Sequence, residues 1–301
     1  MKLENETVQI EDAMRNSATR TAEILLVVIT HLLIGLTVQH AAWANDAVLK
    51  NSLGMDFVLI PAGSFIMGSP NDEPGRGTSE VQHQVTISRP FYMQTTEVTV
   101  SQWQQIMGRR LLGANRGAGN LPMVKVSWHD AMKFIKRLNS LGDGTYRLPT
   151  DAEWEYAARA GSTTAFSWGA EIDCTRAMYG NNSRRYDPCV DYVQSRGLQA
   201  DQPAPVKSYA PNAWGLYDMH GNVWEWCQDR FDPPRHRHEL YKTYDLSDPI
   251  SESGSNRIRR GGSWFGEGAS CRSANRTYSN ANTRYQTTGF RLVREVQASG
   301  N

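Results

Sequence analysis

Thirteen residues, Gly215-Leu216-Tyr217-Asp218-Met219-His220-Gly221-Asn222-Val223-Trp224-Glu225-Trp226-Cys227, constrain this chain more than any other stretch. No helical or strand period runs through them. Gly215 and Gly221 admit positive φ or a close backbone approach. Trp224 and Trp226 are large apolar bodies that have to be buried. Asp218, Asn222 and Glu225 place oxygen donors close together on the same irregular backbone. Hard oxygen donors among turn residues suit a calcium ion. They equally suit a buried turn whose polar side chains satisfy backbone N–H groups. A segment of the same character, Arg260-Gly261-Gly262-Ser263-Trp264, follows downstream.

The apolar run 24–39 is about 16 residues long, short of the roughly 20 needed to cross a bilayer as a helix. Arg15 and Arg20 precede it, and Ala42-Trp43-Ala44 follows as a small-x-small cleavage site. Residues 1–44 therefore read as a signal peptide or an anchor, 45–54 as a lead-in, 55–296 as one domain and 297–301 as a tail. The expected location is periplasmic or secreted, with membrane contact only through the leader if it is kept. A net charge of +1 without a long basic run gives no reason to expect nucleic acid. Export makes the four cysteines legible as two disulfides. Cys174 and Cys189 flank one loop and are paired here, which leaves Cys227 with Cys271. No C-x-x-C spacing favours zinc.

Phe57 to Met67, broken at Pro61-Ala62-Gly63, predicts two short strands around a turn. Residues 81–87 predict another, with His83 as a half-exposed strand residue in preference to a ligand. Three helix starts carry a capping pattern: Thr99 with Gln102, Ser127 with Asp130, and Thr150 with Glu153. Their apolar stripes, such as Ala131, Phe134, Ile135 and Leu138, mark core faces. Residues 109–121 read as a surface loop. Residues 162–215 show no sustained period. In 231–256, His236 and His238 sit beside Pro234 and arginines, which suits a solvated loop better than a metal pair.

In this order, Met55–Gly68, Thr96–Trp103, Val126–Ala131, Tyr146–Gly161, Gly215–Trp226, Arg260–Trp264 and Gly289–Val293 resemble the formylglycine-generating enzyme (sulfatase-modifying factor) superfamily. The resemblance spans roughly residues 52 to 295. It implies an α+β fold like a C-type lectin, poor in regular secondary structure, with a few helices around short antiparallel strands. It also implies one structural calcium on the Asp218 side chain, the Gly221 and Val223 carbonyls and the Glu225 carboxylate. A second site would begin at Met178, whose thioether a hard cation disfavours. Aldehyde-forming members hold copper on two thiolates after the Gly-Gly-Ser motif. Here those positions fall on Gly266 and Cys271, so one thiol is missing and copper is not expected. The implied catalytic candidates are Ser263, Glu267 and Cys271, in a pocket walled by Trp224, Trp264 and Arg276. The expected function is oxidative maturation of a peptide or protein substrate without the standard cysteine pair. The alternative is a lectin-like module that binds a protein or glycan through Ser270–Thr288, a run rich in Asn, Tyr, Ser, Thr and Arg.

Overall fold

The computed structural model describes residues 48–108, 119–231 and 246–297. The leader 1–44, most of the loop 109–121, the His236/His238 pair and residues 298–301 lie outside the described residues. Among those described, no helix is long and apolar enough to cross a membrane.

Three small sheets carry the chain. The first has the order β1 (Val48–Lys50), β2 (Asp56–Ile60), β5 (Phe91–Gln94), β12 (Val293–Glu295), β6 (Tyr146–Arg147). The second runs β10 (Arg276–Asn280), β9 (Asn256–Arg260), β7 (Trp224–Phe231), β11 (Thr288–Gly289). The third holds β3 (Gly63–Met67), β4 (His83–Ile87) and β8 (Leu246–Ser247). Pairing is antiparallel except where β11 joins β7 and β8 joins β4. β1 lies inside the predicted lead-in, and its register with β2 makes Val48 the first residue of the sheet. His83 is buried, its Nδ1 2.9 Å from the Val81 carbonyl, where a half-exposed position was expected.

The helices begin where the capping pattern places them. In α1 (Val100–Met107), α2 (Trp128–Asn139) and α3 (Asp151–Arg159), the Thr99, Ser127 and Thr150 side chains accept from the N3 backbone N–H. The N3 side chain bonds back in each case, so two otherwise orphaned donors are satisfied reciprocally. α2 buries Ala131, Phe134, Ile135 and Leu138, and Phe134 stacks on Trp103 of α1 at 5.4 Å. Burying each large side chain of that stripe contributes about 1.5–3 kcal/mol. α3 is buried along its whole length between the sheets.

Within residues 162–215 the chain forms a 3-10 turn at Ser183–Arg185 and a fourth helix, α4 (Val190–Ser195), which the sequence did not suggest. The Cys174–Cys189 disulfide is present. The second expected bridge is not formed: Cys227 and Cys271 are free and buried. Cys227 packs in the cluster around Trp154, Met219 and Ile258, while Cys271 packs in another with Tyr179 and Trp264. Both thiols behave as small apolar fillers, a common use of unpaired cysteine.

Candidate functional site

The turn 215–223 is held by main-chain bonds from distant segments. Tyr217 N–H donates to Thr95 O, Gly221 N–H to Gly261 O and Asn222 N–H to Met178 O, at 2.8, 2.7 and 2.8 Å. Asp218 and Asn222 both adopt left-handed backbone, φ 59° and 60°. Gly221 has φ 113°, and a Cβ there would lie 2.4 Å from the Met178 carbonyl, so this position requires glycine. The Arg-Gly-Gly-Ser-Trp segment docks on the same turn, with Trp264 N–H donating to Asn222 O at 2.8 Å. Met178 thus contributes its main chain to this junction.

Beneath the turn lies a buried charged cluster. Arg291 turns its Nε and Nη2 onto the two oxygens of Glu225, 2.7 Å each, and Trp154 Nε1 donates to the same carboxylate at 2.8 Å. Asp218 accepts from Lys207 N–H at 2.9 Å. Glu97, fully buried, accepts from Asn222 Nδ2 on one oxygen and has no partner on the other. Burial, with the charges of Asp218 and Glu225 adding to it, pushes the Glu97 carboxyl well above the usual range. Burial likewise raises Asp218 to about 6, against the Lys207 amide and Arg291.

Three carboxylates therefore face one guanidinium. Among the described residues no three His, Cys, Asp or Glu side chains converge as a ready-made metal set. Calcium also draws on carbonyls, and the surplus negative charge with an unpartnered Glu97 oxygen fits a hard cation. Asp218 and the Gly221 and Val223 carbonyls would hold it, with Glu225 shared with Arg291. The ion would supply charge neutralisation and would clamp the turn.

The predicted catalytic residues are only partly brought together. Ser263, Trp264 and Cys271 are buried in one loop, which closes through Gly266 N–H to Ser263 O and Ser270 N–H to Glu267 O. The Cys271 thiol lies 3.9 Å from Glu267 O, and burial pushes its pKa up to about 12, so it stays protonated at neutral pH. Glu267 is exposed. His220 is buried and spent on structure: Nε2 accepts from Ser167 N–H and Nδ1 donates to Cys271 O. Burial lowers its pKa to about 4, so it is the neutral imidazole. A cavity of about 450 Å³ opens between residues 167–176 and 210–213, and none of the predicted catalytic residues lines it.

Arg276 leaves the expected pocket. Its guanidinium lies 3.5 Å from Asp151 and 3.6 Å from Glu155, joining a buried network with Arg260, which pairs with both acids. The two carboxylates hold it there by charge. Trp224 is half-buried on β7, beside Arg259, whose Cζ is 5.7 Å from its ring. Sequence reasoning missed Glu97, Arg291 and Arg259. The first two sit inside the quoted motifs Thr96–Trp103 and Gly289–Val293, but nothing in one sequence tells that segments 125 residues apart meet, as Glu97 and Asn222 do.

Comparison with known proteins agrees with this architecture. Residues 46–296 match the sulfatase-modifying factor enzyme 1-like domain. The formylglycine-generating enzyme of Streptomyces coelicolor is 33% identical over 240 residues, covering 76% of this chain and 72% of that protein. The structure of PvdO from Pseudomonas aeruginosa superposes with a TM-score of 0.69 at 30% identity, over 83% of this chain and 98% of PvdO. Treponema denticola variable protein 1 superposes at 0.65 with 26% identity, over 80% and 95%. The motif order, the three small sheets and the coil clamped on β7 have one explanation: this chain belongs to the formylglycine-generating enzyme (sulfatase-modifying factor) superfamily.

Proposed function

We propose that this chain is an exported binding module built on the superfamily's fold, which holds a protein or peptide ligand on the surface around residues 264–288. The observation that carries the reading is Cys271. Its thiol is buried and protonated, and the other free thiol, Cys227, belongs to a separate core cluster. Copper ligation and oxidation need thiolates side by side. The surface from Phe265 to Gln286, by contrast, exposes Phe265, Tyr278 and Tyr285 among polar residues, a composition suited to recognition. Export is supported by the Cys174–Cys189 disulfide, which persists in oxidising compartments. Calcium at the turn 218–225 is part of the same reading, as a staple for the coil that presents these loops.

The test uses the purified protein with copper, oxygen and a Cys-x-Pro-x-Arg peptide, followed by mass spectrometry. No aldehyde is expected. Aldehyde formation that disappears in Cys271→Ser would replace this reading with oxidative maturation of a peptide.

A further inference from the structure

We propose that Arg259, seconded by Arg257, receives the carboxylates of an acidic, extended peptide segment of a binding partner. This rests on the binding-module reading and names the ligand class for it.

The strand β9 sorts its side chains by face. Ile258 packs in the core, and Arg260 pairs with Asp151 and Glu155. Arg257 and Arg259 project to the opposite side of the sheet, two residues apart. Arg257 lies over the Trp128 ring at 3.8 Å and donates through Nη1 to Gln228 O. Arg259 is only 8% exposed and sits near three rings, Tyr285 at 4.8 Å, Trp226 at 5.6 Å and Trp224 at 5.7 Å. Its one hydrogen bond runs from Nη1 to Thr288 Oγ1, 2.8 Å. Nε is buried without a partner, and no carboxylate among the described residues pairs with this guanidinium. Burial lowers its pKa to about 10, so it is still a cation at neutral pH.

The molecule itself displays the use of the edge that Arg259 leaves unpaired. Arg291 grips Glu225 with Nε and Nη2, one on each oxygen, and Arg159 turns the same two atoms onto one oxygen of Glu155 at 3.0 and 2.8 Å. That edge matches a carboxylate in a planar, two-bond fit. The rings around Arg259 offset part of the cost of a buried cation, but they supply no counter-charge. Arg257 and Arg259 are roughly 7 Å apart along the strand, the repeat of same-side residues on an extended peptide. A segment with acidic residues at alternate positions meets both. Tyr285, 42% exposed, forms the outer wall that such a segment would pack against.

The experiment titrates the full chain with fluorescein-labelled hexaglutamate, following anisotropy at low salt, and follows the Arg259 Nε–H resonance by NMR with unlabelled peptide. Saturable binding is expected, with hexaglutamine inert. Arg259→Lys, which keeps the charge and loses the fork, should weaken binding by about tenfold or more. Because the NMR arm needs no substitution, it decides the matter even if the variants misfold. An Arg259 resonance that does not move at saturating peptide, or equal affinity in Arg259→Lys, overturns the assignment. Binding of trigalacturonate without hexaglutamate overturns the peptide class. Either failure leaves the binding-module reading standing, because that reading falls only to aldehyde formation.

Discussion

Two buried charged clusters flank β7, and they solve the same problem differently. On one side Arg159, Arg260 and Arg276 face Asp151 and Glu155. Burial alone would raise the Glu155 carboxyl, yet the surrounding guanidiniums hold it at about 2. On the other side Glu97, Asp218 and Glu225 share one buried guanidinium, Arg291, and Glu97 and Asp218 are pushed up by burial. The first cluster is closed on itself and holds α3 against the sheet. The second sets three carboxylates against one guanidinium and leaves a buried Glu97 oxygen without a partner. The sign of the imbalance, more than the number of ion pairs, separates the two: guanidiniums outnumber carboxylates in the first cluster, and carboxylates outnumber the guanidinium in the second.

The largest effect is expected in the closed cluster. Arg260→Ala takes from buried Asp151 and Glu155 the closest partner they share, leaving only the longer contacts to Arg276 between them, and should cost about 3–5 kcal/mol in urea unfolding. A loss below 1 kcal/mol would mean that the cluster is not closed as described. Next, calcium should stabilise the unaltered protein by about 2.7 kcal/mol at a hundredfold excess over its Kd, read as a rise in Tm reversed by EGTA. The same rise should survive in any Arg260 variant that folds and be lost in Asp218→Asn; a response that vanished with Arg260 would merge the two clusters into one. The smallest effect belongs to the third arginine. Because Arg259 has no acidic partner to abandon, Arg259→Lys should change stability by about 1 kcal/mol or less. A larger loss in urea unfolding would make it a structural residue like Arg260.

Helix boundaries were legible because a capping box is local: Thr99 and Gln102 reveal one another within three residues. The Cys174–Cys189 bridge was legible because both cysteines flank one loop. The second bridge failed because parity counts thiols without knowing which core each enters, and Cys227 and Cys271 enter different ones. α4 went unseen because its six residues bury only Val193, too few for a period. The site's turn was recognisable in sequence, yet Glu97 was not, since its acidity matters only once Asp218 and Glu225 lie beside it. Arg276 was misplaced for the same reason. Its position follows from Asp151 and Glu155, more than a hundred residues upstream.

The strand β12 ends at Glu295, yet it sits between β5 and β6 in the five-stranded sheet. Until the ribosome has released the chain through Glu295, the early strands therefore have a gap where their inner neighbour belongs. A nascent chain of this kind cannot complete its architecture piecemeal, and its exposed strand edges need shielding in the meantime. Truncation before Val293 would for the same reason remove an interior strand instead of trimming a fringe.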